Sequence, residues 1–426
     1  MRLQPLTSTS GWRRKDVTAS SSAELLRRVG LEELAASSLS APAQHDELPL
    51  SALDGWARSG AQLLTAFQGR PPGDVAGRMS GAAFALETIT SHHARPIRLD
   101  GPALLGERAA LSDDACEPKP GQTLRRAGLM LKAMDGWVAA NLPRDGDLMM
   151  IPALTDGDVA EGDIAGLSRW MKSRLTAPVL ERAHLLGLAM TEVPKPTRGP
   201  IFPGAPWRTS SLLPQQPRPF SETTVLDLSG LWAGPLAASL LGEAGTSVVR
   251  LDSESRPAPA PPPDEKFDRL LNGQKEHLRI DFNDRERLHR IVAQADVVIT
   301  SSRPRAIEKL GLRPRDGQLW VRITAHGNQG AAAERVGFGD DAAASAGAVY
   351  WHEGKPNFCG DALADPITGL LASIASIGLL AAGLSGQIDI SLAGAARWAI
   401  ADKDDASTEA RQYPARVPRA RQLAMP

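Results

Sequence analysis

The sequence has only two cysteines, Cys116 and Cys359, in 426 residues. Two thiols build neither a disulfide framework nor any common multi-cysteine zinc pattern, so the expectation is a reduced, cytoplasmic setting with no metal. Tyrosine occurs twice, and aromatic residues make up 4% of the chain. Ala, Gly and Leu must fill the interior instead, which predicts helices packed closely through small residues. Neither sign of charge is in excess: 48 basic against 49 acidic residues give a formal net charge of -1. That excludes bulk electrostatic binding to nucleic acid or to an anionic membrane, and makes any anion site local. Long hydrophobic runs are also missing. The longest, 370–384, is broken by Ser373, Ser376 and Gly378 and is too short and weakly apolar to span a bilayer. It reads as a buried helix. Arg2, Arg13, Arg14 and Lys15 are followed by no apolar signal core.

What is present suggests two or three domains. Residues 1–45 read as a polar leader and a short helix over 22–37, capped within 20–22. A helical segment follows over 46–130. Residues 131–195 read as a smaller α/β domain, with a hairpin signal at Asp135-Gly136, a strand over 137–142 and helices over 167–175 and 178–186. Prolines 194, 196, 200, 203, 206, 214, 217 and 219 mark 196–222 as an extended linker or strap. From 223 to 402 short apolar runs at 224–228, 247–251, 296–300 and 319–323 alternate with helical segments. This is the pattern of an open, parallel, Rossmann-like sheet with right-handed crossovers. A second Pro-rich loop, 256–264, interrupts it, and 403–426 reads as a loosely ordered tail.

The chain also repeats itself. Asp54-Gly-Trp-Ala-Arg-Ser-Gly60 parallels Asp341-Ala-Ala-Ala-Ser-Ala-Gly347, and Ala76-Gly-Arg-Met-Ser-Gly81 parallels Ala364-Asp-Pro-Ile-Thr-Gly369. Both stretches run into Ala-rich helices. A duplication and a coincidence of Ala/Gly-rich sequence both fit the pattern alone.

Several segments resemble the family III CoA-transferases, the carnitine and bile-acid CoA-transferase family. They are Val225-Leu-Asp-Leu-Ser-Gly-Leu-Trp-Ala-Gly-Pro235, Leu240-Leu-Gly-Glu-Ala-Gly245, Val248-Val-Arg-Leu-Asp252 and Leu271-Asn-Gly-Gln-Lys275. Ala295-Asp-Val-Val-Ile299, Arg303-Pro304, Gly337-Phe-Gly-Asp340 and Gly360-Asp-Ala-Leu-Ala-Asp-Pro-Ile-Thr-Gly369 follow in the family's order and spacing. Residues 46–130 resemble part of the family's large domain. Asp135-Gly136-Trp-Val and Gly187-Leu-Ala-Met-Thr-Glu-Val193 are similar to its small domain. The small-domain segment here precedes the CoA-binding segment, so the chain reads as two complementary incomplete copies or as one permuted copy.

The resemblance implies transfer of coenzyme A between carboxylic acids, with Asp365 as the nucleophile that forms an acyl anhydride and then an aspartyl thioester. An Asp at this place is equally a first-turn helix residue favoured by the macrodipole, and the two roles are compatible. The matching position of the first repeat is Gly77, so that copy would be inert. For the CoA, the resemblance points to Gly234 and Pro235 at a helix start, Asp252, Asn272, Lys275, Arg303, Lys309 and Asp340. Several of these also read as surface charges or turn residues. No cofactor beyond the coenzyme A thioester substrate is implied, and the partners are an acyl-CoA and a carboxylic acid acceptor. Family members form interlocked dimers, so a homodimer is implied unless fused half-copies replace one internally. A non-catalytic acyl-CoA-binding subunit and an acyl-CoA isomerase or racemase are the alternatives. Three positions depart from family patterns: Trp232 replaces a hydrogen-bonding side chain, Ser253 replaces a basic residue, and Phe338 stands where racemases carry histidine.

Overall fold

The computed structural model describes residues 10–40, 51–70, 72–112, 117–196, 204–254, 264–401 and 420–421. The leader 1–9, part of the linker at 197–203, nearly all of the Pro-rich loop 256–264, most of the tail 403–426 and Cys116 lie outside the described residues.

The Asp135-Gly136 turn joins β1 (Gly128–Lys132) to β2 (Trp137–Asn141), and β3 (Ala189–Glu192) completes an antiparallel three-stranded sheet. Helices Ile164–Met171 and Thr176–Leu185 stand close to the expected helical segments. Leu131, Val138, Ala140, Leu167, Met171, Ala183 and Met190 form a core separate from the rest of the chain. The unit starts earlier than residue 131, because β1 begins at Gly128, whose N–H bonds the Thr123 hydroxyl.

The second sheet holds β4 (Arg208–Pro214), β5 (Thr224–Asp227), β6 (Ser247–Ser253), β7 (Glu276–Ile280), β8 (Val297–Thr300) and β9 (Leu319–Thr324). A hairpin, β10 (Val349–His352) and β11 (Lys355–Phe358), precedes the last strand, β12 (Leu384–Ser391). The order is β4-β12-β9-β8-β5-β6-β7, parallel throughout except for β4 on the edge. Val297, Val298, Ile299 and Thr300 are all buried, as expected of a central parallel strand covered on both faces. The chain moves outward from β5 through β6 to β7, then returns to β8 and moves the other way. Loops after β5 and β8 therefore diverge and open a crevice at the carboxyl ends of the strands. The Pro-rich linker supplies the edge strand β4, whose Pro214 sits where an edge tolerates a missing N–H.

Helix Ala364–Ala381 is the hub of the main core. By length and mean hydropathy (1.5) it would suit a membrane, but 89% of it is buried inside the protein. Small residues let its neighbours approach. A Cβ on Gly369 would lie 2.9 Å from the Ala233 carbonyl and 2.9 Å from Leu236 Cβ, where helix Ala233–Glu243 crosses. On its other side lies helix Val75–His93, crossed in turn by helix Ser10–Arg28. There a Cβ on Gly81 would lie 2.6 Å from the Thr18 carbonyl and 2.7 Å from Ser21 Cβ. The two crossings match residue for residue: Gly81 corresponds to Gly369, and the pair Thr18 and Ser21 to Ala233 and Leu236. The repeat seen in the sequence thus coincides with a repeated helical crossing.

At the start of the crevice, Asp227 at the end of β5 is fully buried. Its partner is Lys275, whose ammonium reaches Asp227 Oδ2 at 2.7 Å, Asn272 Oδ1 at 2.9 Å and the Pro235 carbonyl at 3.0 Å. Asn272 gives an N–H to Asp268 at 2.8 Å. All three ammonium protons are used, and only 2% of the side chain is exposed. Lys275 and Asn272, expected at the CoA, tie β5, the following helix and the loop before β7 together. Burial lowers the Lys275 pKa, and the Asp227 carboxylate opposes that shift without cancelling it. Replacing Lys275 by Met should leave Asp227 buried and unpaired and lower unfolding free energy by roughly 3–5 kcal/mol. Denaturant titration reads this directly, and the Lys275→Met/Asp227→Asn double variant should recover much of the loss.

Candidate functional site

Asp365 lies in the first turn of helix Ala364–Ala381 and is 8% exposed. Two other helices begin at the same point. The backbone N–H of Ala233, first residue of helix Ala233–Glu243, and that of Gly339, first residue of helix Gly339–Ser345, both favour the charged carboxylate. Three helix N-termini therefore converge on one side chain, each adding partial positive charge. Gly339 is the residue this packing requires, because a Cβ there would sit 2.1 Å from Asp365 Oδ2. Gly234 also permits a close approach, but the space belongs to Ser229, whose Oγ would lie 2.1 Å from an added Cβ. Gly234 and Pro235 are buried, and the Ala233 N–H at this helix start faces Asp365.

Around Asp365 the charges are Asp340, Asp361 and Arg108. Arg108, from the helix Glu107–Leu111, bonds Asp361 through two nitrogens, with Nε to Oδ2 at 2.8 Å and Nη2 to Oδ1. Its guanidinium also stacks on Trp232, 5.1 Å from the ring centroid, and Trp232 meets Phe267 edge-on at 4.9 Å. Burial pushes the Asp365 carboxyl up to about 6; the nearby Arg108 and the two amides hold it down, and Asp361 pushes it up again. Asp340 rises further, to about 7, first through burial and then through Asp361, although Arg108 and the Ala362 N–H at 2.9 Å favour its anion. Burial works against the Arg108 charge, but Asp361, Asp340 and Asp365 outweigh it and raise its pKa.

A cavity of about 280 Å³ opens beside Asp365. Leu231, Trp232, Phe267 and Leu271 give it an apolar wall, Asp340 and Arg108 line it near Asp365, and Thr123, Arg125 and Asn141 reach in from the small unit. Arg125 is held by Asp264 at 3.0 Å. The remaining sequence-derived positions lie outside the cavity. Asp252, at the carboxyl end of β6, is engaged by Arg250 at 3.1 Å. Arg303, after β8, is exposed and bonds the Glu334 carbonyl, and Lys309 is exposed in the last turn of helix Pro304–Lys309. Phe338 lies in the cavity lining, whereas His326 is buried elsewhere and its pKa falls to about 3, chiefly by burial, so its ring is neutral. Arg108, Arg125 and Asp361 are the site residues that sequence reasoning missed. Asp361 stood within a quoted motif as an acid in an apolar stretch, but nothing in the sequence around Arg108 or Arg125 marks them.

The sequence profile of CoA-transferase family III matches residues 220–426. Among curated proteins, the chain is 29% identical over 194 residues to a "probable fatty acyl-CoA transferase" of Mycobacterium tuberculosis, covering 41% of this chain and 49% of that one. It is 28% identical over 199 residues to the succinyl-CoA–L-malate CoA-transferase alpha subunit of Chloroflexus aurantiacus, covering 42% and 44%. It is 26% identical over 133 residues to the (R)-2-hydroxy-4-methylpentanoate CoA-transferase of Clostridioides difficile, covering 27% and 33%. A crystal structure of the mycobacterial protein aligns with a TM-score of 0.37 at 26% identity, over 43% of this chain and 55% of that one. The chain spans at most about half the length of these curated relatives. Over residues 220–426, the chain is similar to CoA-transferase family III.

Proposed function

We propose that this protein transfers coenzyme A between carboxylic acids, with Asp365 as the nucleophile. The observation that carries the reading is a buried carboxylate, held by two backbone amides and an arginine, at the edge of a cavity with an apolar wall. A thioester carbonyl placed there meets one charged oxygen nucleophile and little water. Attack by Asp365 forms a C–O bond and breaks the C–S bond, giving a mixed anhydride and CoA thiolate. The thiolate then attacks the Asp365 carbonyl, which releases the first carboxylic acid as its anion and leaves an aspartyl-CoA thioester. A second carboxylate attacks that thioester, expelling the thiolate and forming a new anhydride. Thiolate attack on the acceptor's carbonyl yields the new acyl-CoA and free Asp365. Each intermediate hydrolyses readily, so the wall of Trp232, Phe267 and Leu271 serves by excluding water.

The same wall suits an apolar acyl group, in keeping with the fatty acyl and branched hydroxy acid names of two relatives. Arg303 and Lys309, exposed around the helix that follows β8, are available to the nucleotide phosphates outside the carboxyl ends of the strands.

Four outcomes follow. Labelled acyl-CoA should exchange with a carboxylate acceptor in wild type, and the rate should drop by about a thousandfold or more in Asp365→Ala and Asp365→Asn. Hydroxylamine should attack the activated Asp365 carbonyl, expelling the carboxylate or the CoA thiolate, and leave an Asp365 hydroxamate in wild type alone, detected by mass spectrometry of the peptide; exchange surviving in the variants would remove Asp365 from the mechanism. In Gly339→Ala the new Cβ collides with the Asp365 carboxylate, so kcat should fall roughly hundredfold while the fold persists by circular dichroism. Because the anion is the attacking species, activity should be lost as pH falls through about 6 and should level off above it, in a pH–rate profile.

A further inference from the structure

Arg108 is 253 residues from Asp361 in sequence, yet it is the cation of the Asp365 site. Its edge is fixed by two hydrogen bonds to Asp361, its face by the Trp232 ring, and 20% of the side chain remains exposed at the cavity. Its backbone is fixed as well. The neighbouring Glu107, 2% exposed, pairs both of its oxygens with Arg421 at 2.9 Å, and Arg421 reaches Glu243 at 3.1 Å. Glu243 is the last residue of helix Ala233–Glu243, whose first residue turns its N–H to Asp365. The N-terminal half is therefore anchored to the far end of the helix whose near end meets the carboxylate. A lysine would lose both the two-point bond to Asp361 and the guanidinium's contact over the Trp232 ring.

We propose that Arg108 is the positioning residue of this site: locked edge-on by Asp361 and face-on by Trp232, it supplies the fixed positive charge that keeps the Asp365 carboxylate ionised and aimed into the cavity. The N-terminal half thereby contributes to the chemistry as well as to the fold. The idea rests on Asp365 as nucleophile, but it makes a claim about Asp365 that activity is not needed to read.

The experiment compares wild type with Arg108→Lys, Arg108→Gln and Trp232→Leu in the full chain. The carboxyl carbon of Asp365, labelled with carbon-13 and identified by its loss in Asp365→Asn, is titrated by NMR. In Arg108→Gln the midpoint should move up by roughly one to three pH units. Arg108→Lys should give a smaller rise, because the charge remains while the geometry is lost. Trp232→Leu, which removes the contact under the guanidinium together with part of the apolar wall, should also raise it, and this variant carries the test if Arg108→Gln does not fold. In the exchange assay the acid limb should move with the NMR midpoint, kcat at pH 7 should fall, and the KM for acyl-CoA should change by less than about threefold. A titration midpoint and acid limb unchanged in folded Arg108→Gln, or unchanged in Trp232→Leu, would overturn the proposal, and a lowered Tm alone would mark Arg108 as structural. If Asp365→Asn retains exchange, the nucleophile reading fails, while the NMR titration still decides the part played by Arg108.

Discussion

The structure depends on keeping one carboxylate charged in a place where water does not reach it freely. Asp365 is 8% exposed, and burial alone favours its protonated form. Three helix N-termini and one guanidinium supply the compensation, and the packing around them follows from that demand. Gly339 has no side chain because the carboxylate occupies the space, and Gly369 has none because the helix that brings the Ala233 amide must cross there. The small-residue composition of the chain, with 39 glycines and little aromatic content, is thus what lets three helices meet end-on at a single atom group.

The repeated helical crossing shows how the same frame serves two purposes. In the C-terminal copy, the helix Ala364–Ala381 begins at Leu363 with no side-chain cap, and its first-turn acid is Asp365. In the N-terminal copy, helix Val75–His93 is capped by Asp74, whose side chain accepts the Gly77 N–H at 3.1 Å. A Cβ on Gly77 would lie 2.5 Å from Asp74 Oδ2, so the position that matches Asp365 has given way to the cap. One helix start is closed by a side-chain cap, and the other is left without one.

Much of the sheet was legible because parallel strands buried on both faces leave short apolar runs, and the helices between them leave Ala-rich or amphipathic spacing. Asp365 was legible only through the resemblance, since an acid in a first turn looks the same whether it caps or reacts. The ties of Lys275 were illegible for a related reason: a conspicuous lysine near a ligand crevice gives no local sign that Asp227, 48 residues earlier, already holds it. Arg108 left no trace at all. Its role comes from Asp361 and Trp232, which the fold delivers from more than a hundred residues away, and neither spacing nor periodicity encodes such a meeting.

The Arg108–Asp361 pair itself sharpens the point. A buried ion pair contributes little net stability, because the cost of removing both charges from water nearly cancels their attraction; well-packed apolar residues of the same volume hold a fold together as well or better. Stability is therefore a poor reason for a cation to cross between the two halves of this chain. An apolar replacement of the pair would leave Asp340 and Asp365 without the positive charge that now favours their anions, and burial would set their protonation. Asp340, already raised to about 7, shows how far burial and a neighbouring acid push a carboxyl even with Arg108 present. Asp365 differs in having two helix amides of its own, and it stays at about 6. Both acids are thus raised by burial, and what sets Asp365 apart is geometric: two helix N-termini besides its own turn an N–H toward it.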